Sequence, residues 1–278
     1  MQDVGTLLRN GLKTWKRNLN ICIPLVLNMI VVGTIWLIMV FMVFSPIMPH
    51  LQTPDISPES ILAQTMPMMG TIALAFLVFV ILAGLIGAFF GAGAIGMAKK
   101  AMGGEQSSLS DMVEHGKRSF ISIFFADIIV GLMFLMGAVF LVPGILSTSD
   151  TSAIPKFLIG ALIFVLYALI VSIIFAVVRY AIVVDEIGAI RGVKRGAGFF
   201  LDHKLDVFLI WLTIVAVSVC LSMIAMIMEY VPYVGTVWPV FNSVIFIVVI
   251  APLSIIWWTG LYMDRAEKAI QSPFSLTR

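Results

Sequence analysis

Apolar residues run almost unbroken through six stretches, about 19–44, 68–98, 119–142, 157–184, 207–228 and 237–263, and polar residues collect between them. Each stretch matches or exceeds the roughly 20 residues that a helix needs to cross a hydrocarbon core about 30 Å thick. The pattern predicts an all-α polytopic bundle of six transmembrane helices, one integral membrane domain over 1–278. Amphipathic interfacial helices are expected before spans 1, 3 and 5, because there the apolar positions recur with helical spacing. In the first, over 1–18, Val4, Leu7, Leu8, Leu12 and Trp15 share a face, Arg9, Lys13, Lys16 and Arg17 lie opposite, and Asp3 can cap the start. It resembles the basic region of a signal peptide, but the apolar run that follows is too long for a signal core. In the second, Leu109, Met112, Val113, Gly116 and Phe120 form the greasy side. In the third, Ile187, Ile190, Val193, Ala197, Phe200 and Leu201 form one face and Arg191, Lys194 and Arg195 flank it.

Small residues mark where helices can approach closely. Gly188, Gly192 and Gly196 repeat at spacing four on a third face of the last amphipathic segment. Span two carries two such ridges, Ala83, Gly87, Gly91 and Gly84, Ala88, Ala92, Gly96. Proline punctuates the rest. Residues 45–67 hold five prolines and no Lys or Arg, and predict an irregular loop with one helical turn near Ser60–Gln64. Pro24 sits in the first turn of span one, where it is tolerated. Pro252 in mid-span six must leave a carbonyl one turn back without its usual N–H and bend the helix. The polar tail 264–278 is expected to fray.

Composition narrows the class. With 61% hydrophobic residues and only 12% charged, and a mean hydropathy of +1.10, the chain has too little polar surface to cover a soluble core. The net charge of +2 says less than where the charges sit. Every Lys and Arg except Lys156 lies before span one, between spans two and three, from Arg179 to Lys204, or after span six. The positive-inside rule then places both termini in the cytoplasm of a multi-pass cell (plasma or inner) membrane protein. Tyr230, Tyr233 and Trp238 would mark the outer interface, and Trp15, Trp257, Trp258 and Tyr262 the inner one. Cys22 and Cys220 both fall in apolar runs and suggest buried free thiols.

Two motifs carry a likeness to known proteins. Gly91-Ala-Gly93 leads into Ala101-Met-Gly-Gly-Glu105 with Ser108-Leu-Ser-Asp111, and Arg179-Tyr-Ala-Ile-Val-Val-Asp-Glu-Ile-Gly-Ala-Ile190 precedes an amphipathic helix and a new span. Over roughly 85–215 the chain thereby resembles a broad family of six-span membrane proteins of bacteria and archaea. Some relatives are similar to the membrane domain attached to glycerophosphodiester phosphodiesterases. The resemblance implies a six-span fold and brings no catalytic domain.

Candidate chemistry is sparse. Gly91-Ala-Gly-Ala-Ile-Gly96 matches the dinucleotide fingerprint in letters, but it lies inside a membrane helix and reads as packing glycines. Asp127 is the one acid well inside a span, and Arg179 sits at a similar depth in the next helix. They form a candidate intramembrane polar pair, as an ion, proton or headgroup site or as a structural ion pair. Asn28 and Asn242 could add polar groups to a cavity. No His, Cys or carboxylate spacing suggests a metal, no nucleophile–base set lies on one side, and no cofactor or nucleic acid is implied. Two functions remain. One is a non-catalytic membrane protein that grips anionic headgroups, or partner proteins or copies of itself, through Arg9, Lys13, Lys16, Arg17, Arg191, Lys194 and Arg195. The other is a channel or transporter for an ion or small solute with Asp127 and Arg179 in its polar interior.

Overall fold

The computed structural model describes residues 3–45, 66–146 and 153–271. Among them every regular element is helical and no strand occurs. We number the helices α1 (Val4–Arg17), α2 (Cys22–Phe44), α3 (Met69–Met102), α4 (Leu109–Gly137), α5 (Val142–Leu146), α6 (Ala153–Phe175), α7 (Val178–Asp185), α8 (Ala189–Asp202), α9 (Lys204–Glu229), α10 (Val234–Ile245) and α11 (Ala251–Gln271). Six segments are long and apolar enough to cross a membrane: Leu19–Phe44, Met69–Met102, Leu109–Leu146, Ile154–Asp185, Lys204–Glu229 and Val234–Ala266. The turn expected near Ser60–Gln64 lies outside the described residues.

Several boundaries move for identifiable reasons. The third span has no separate amphipathic helix before it. Ser108 caps the amide of Asp111, whose carboxylate returns to the Ser108 amide, and this capping box starts one continuous helix to Gly137. Its greasy side packs on α3 and only Leu109 faces outward. Asp3 precedes α1 without a side-chain cap; its backbone carbonyl accepts from Leu7 instead. The last helix runs on past Asp264, because Arg265 bonds Asp206 at 2.8 Å as well as Asp264 and is itself buried. Trp258 and Tyr262, expected at the inner interface, pack inside the protein.

Packing is unequal along the bundle. One buried cluster joins Val4 and Leu7 of α1, Ala88, Ala92 and Ile95 of α3, Ile123 and Ala126 of α4, Val177, Val178 and Tyr180–Val183, Phe199 of α8, and Leu261 and Tyr262 of α11. All these lie toward the end where the basic residues sit. The opposite halves of the spans leave Leu37, Phe41, Leu135, Met226 and Phe241 exposed. The tightest seam is α3 against α4, built on missing side chains. A Cβ at Gly93 would lie 2.6 Å from Met112, one at Gly96 2.2 Å from His115, and one at Gly116 2.8 Å from Phe89. Glycine lets the two helices close to van der Waals contact over this length. Gly160 does the same for the pair formed by spans three and four, where a Cβ would strike the Phe140 carbonyl oxygen at 2.1 Å.

Candidate functional site

The stretch Arg179–Glu186 distributes its side chains to nearly every neighbour. Span four breaks just before it: α6 ends at Phe175, Ala176 and Val177 form a turn, and α7 restarts at Val178. Neither glycine nor proline marks this break. Arg179 then reaches α4, donating from Nε to Asp127 Oδ1 at 2.8 Å and from Nη2 to Asp127 Oδ2 at 2.9 Å. Tyr180 stacks obliquely on Trp258, with ring centroids 6.3 Å apart. The Val184 carbonyl accepts from Lys99 Nζ of α3 at 3.0 Å. Asp185 accepts from the Tyr262 hydroxyl and lies 3.5 Å from Arg195 Nε. Glu186 ends α7 in the left-handed region, at φ 55°, and its carboxylate pairs with Arg118 of α4. That conformation costs a non-glycine residue of order 1 kcal/mol, and the ion pair holds it.

Helix α8 folds back onto α7 through two of its glycines. A Cβ at Gly192 would meet Ile182 at 2.2 Å, and one at Gly196 would meet Val178 at 2.7 Å, with backbone at 2.9 Å. Gly188, the third of the series, faces open space. Ile190 and Leu201 remain exposed, as do Arg191 and Lys194. Arg195, read from sequence as a headgroup ligand, turns partly inward, and the Tyr262 hydroxyl with Asp185 raises its guanidinium above its ordinary pKa. Helix α1 is held similarly. Trp257 Nε1 donates to the Leu8 carbonyl at 3.1 Å, and Gly11 lets the indole lie where a Cβ would be 2.4 Å away. Arg9, Lys13, Lys16 and Arg17 face outward.

The unpaired carbonyl that Pro252 demands is Val248. In span six a π-helical turn, Phe246–Ile250, separates α10 from α11. The Val248 oxygen accepts from Trp15 Nε1 at 3.1 Å and from Cys22 Sγ at 3.1 Å. A defect in the last span is thus satisfied by the end of α1 and the start of α2. Cys22 is buried in this contact, whereas Cys220 is exposed.

Asp127 and Arg179 line a cavity of ≈ 300 Å³ together with Asn28 and Tyr180. Its walls come from spans one, two, three, four and six. Helix α4 rises roughly 13 Å between Arg118 and Asp127, so the pair lies that much deeper than the Arg118–Glu186 contact. Gly84, Ala88, Ala92 and Gly96 follow the buried seam, with Gly84 opening room for Phe124 and Gly96 for His115. Ala83, Gly87 and Gly91 border the cavity together with Gly84 and Ala88 of the other ridge, and nothing lies within 4 Å of a Cβ built on Gly91. The space is therefore a consequence of side chains that span two does not have. Asn28 Oδ1 is buried and finds no hydrogen-bond partner among the described residues. Asn242 does not join the group; it lies on α10 and takes no part in this lining. Sequence reading missed Tyr180, which resembles any core aromatic until the cavity is seen. Among the described residues no group of His, Cys, Asp and Glu is placed to hold a metal.

Fold and site together define a multi-pass helical membrane protein with a polar pair at depth and basic helices at one end. The chain belongs to a family defined by a domain of unknown function, DUF7847, whose model matches residues 3–259. It is similar to an uncharacterised protein of Archaeoglobus fulgidus, 23% identical over 94% of this chain and 95% of that protein. Neither description connects it with a phosphodiesterase-associated membrane domain, the finer likeness expected from the motifs. No solved structure matches it.

Proposed function

We propose that this is a non-catalytic integral membrane protein whose basic end holds anionic lipid headgroups at the cytoplasmic leaflet of the cell membrane. The carrying observation is how α1 and α8 divide their faces. Val4, Leu7 and Gly11 of one, and Gly192, Gly196 and Phe199 of the other, are buried against the spans. Arg9, Lys13, Lys16, Arg17, Arg191 and Lys194 are left exposed at the same end. Each cation near an anionic surface contributes about 1 kcal/mol, and helices already docked to the protein lose no ordering entropy on binding. In this reading both helices are interfacial and amphipathic, and both termini are cytoplasmic.

The test is native mass spectrometry of protein released from nanodiscs of mixed phosphatidylglycerol and phosphatidylcholine. The natural chain should retain phosphatidylglycerol selectively, and a variant with those six residues changed to Gln should lose the preference. Equal retention by both overturns the proposal. A solute pathway through the Asp127–Arg179 cavity is the second reading, favoured by a polar pair inside the spans. It would require Ala92, Ile123, Ala126, Val177, Val178 and Ala181–Val183 to part, since these residues are buried in one cluster with Ala88 and Tyr180 of the cavity wall.

A further inference from the structure

We propose that the intramembrane cavity is a binding site for an uncharged, hydroxyl-bearing single-chain amphiphile, its head against Arg179, Tyr180 and Asn28 and its tail in the adjoining cleft between spans one and two. Three polar groups around the cavity lack what they need. Two of the guanidinium N–H groups of Arg179 go to Asp127, and the others have no partner among the described residues, although its side chain is 56% exposed to open space. Tyr180 is only 9% exposed and lies within electrostatic reach of Arg179. No described residue hydrogen-bonds its hydroxyl, yet the residue borders the cavity. Asn28 Oδ1 is a buried acceptor with no donor. At this depth water is scarce, and each unmet polar group is costly. A head carrying one hydroxyl meets both demands: its oxygen accepts from Arg179 and Tyr180, and its O–H donates to Asn28.

Charge decides against an ionic head. Asp127 already neutralises Arg179 through two hydrogen bonds. An anion brought to the outer face of the guanidinium would meet Asp127 as a like charge and would lose its own hydration. A cation would meet the guanidinium of Arg179, bonded to both oxygens of Asp127, as a like charge. The tail has a place as well. An apolar cleft of ≈ 340 Å³ lies between spans one and two, lined by Ile35, Met42, Thr71, Leu74, Phe79 and Leu82 among others. It begins at Leu82, where the cavity lining begins at Ala83, and continues along the same two helices away from the basic end. From Leu82 to Thr71 is about 16 Å of helix, close to the depth of one leaflet of the ≈ 30 Å core. A ligand so placed carries its head near the middle of the bilayer. A lipid with a phosphate head resists that position, whereas a lone hydroxyl leaves the interface at modest cost.

The experiment uses the full chain in phosphatidylcholine nanodiscs and a hexadecanol carrying a photoactivatable diazirine in its chain. Labelling should fall on the peptides of spans one and two and be displaced by plain hexadecanol. Gly91→Leu puts a side chain into the cavity while leaving both members of the pair in the chain, since its Cβ would stand in open space, and should cut labelling by about tenfold, the equivalent of one lost site contact. Gly131→Leu, whose Cβ also meets nothing but which lies outside the cavity lining, should change nothing. Should Gly91→Leu fail to fold, Asn28→Leu decides the matter in the same way. Unchanged labelling in the cavity variant overturns the proposal. So does a diazirine-bearing hexadecyl phosphate that labels the same peptides as strongly as the alcohol.

Discussion

Removing one member of the Asp127–Arg179 pair should cost far more than removing both. With charge centres about 4 Å apart and an effective dielectric near 20, the attraction is about 4 kcal/mol. The two bonds at 2.8 and 2.9 Å give it the planar fork geometry in which Arg binds a carboxylate most firmly. Against this stands partial access to the cavity, with Asp127 31% and Arg179 56% exposed. Openness of that kind lowers the penalty for a charge left alone below the 3–5 kcal/mol of fully buried pairs, to about 2–3 kcal/mol. Asp127→Ala and Arg179→Ala should each lose that much in reversible unfolding by sodium dodecyl sulfate from mixed micelles, followed by tryptophan fluorescence. Asp127→Leu with Arg179→Met, which returns both positions to apolar packing, should lie within about 1 kcal/mol of the natural chain or above it. If the double variant is as unstable as the sum of the singles, the residues do not act as a pair and the cavity has lost its defining feature.

Other outcomes follow from particular contacts. Trp15→Phe should lower stability by about 0.6–1.7 kcal/mol, the span of measured membrane hydrogen bonds, because the Val248 carbonyl loses one of its two donors. In a Pro252→Ala background the same change should cost less, since residue 252 then offers its own N–H to Val248; equal costs in both backgrounds would separate the tryptophan from the proline. Gly192→Val should destabilise by about 1–3 kcal/mol through collision with Ile182, while Gly188→Ala, facing open space, should be neutral or slightly stabilising, and a thermal-shift series orders the two. Glu186→Gly relieves the left-handed conformation but breaks the pair with Arg118, so its effect on melting should be within about 1 kcal/mol of zero. A large loss would show that the carboxylate has a further task.

Much of this architecture was legible because two signals are nearly free of context. Apolar runs of more than 20 residues have one stable solution in lipid, and the spacing of small residues says which side of a helix can be approached. Gly192, Gly196, Gly84 and Gly96 behave as that spacing implies. Asp127 and Arg179 could be matched by depth alone, each being counted from a charged residue at the same end. What resisted reading depends on three-dimensional neighbours. Gly91 and Gly188 stand at the same spacing as packed glycines, but nothing lies within 4 Å of a Cβ built on either. The interruption at Ala176 and Val177 carries no glycine or proline, and we have no account of it from local sequence. Leu109 and Met112 looked like an interfacial face until the capping box at Ser108 made them the first turn of a span.

The Arg179–Glu186 stretch shows why so few polar residues suffice. A transmembrane helix gains little from hydrophobic attraction to another helix, since lipid tails are as apolar as leucine. Specific arrangement must then come from close packing and from a handful of polar contacts. Here α7 and its C-cap supply both: Val178 and Ile182 receive the glycines of α8, while Arg179, Val184, Asp185 and Glu186 tie it to α4, α3 and α11. The turn at Ala176 and Val177 separates α7 from α6, so Arg179 stands on a short helix of its own, fixed by these contacts. Spans three and four also meet away from this stretch, through Gly160 at Phe140 and through the Tyr167 hydroxyl, which donates to the Met133 carbonyl at 2.8 Å. A mutation at either of those points should loosen that hairpin without disturbing the pair, whereas one at Ile182 or Val178 should disturb both.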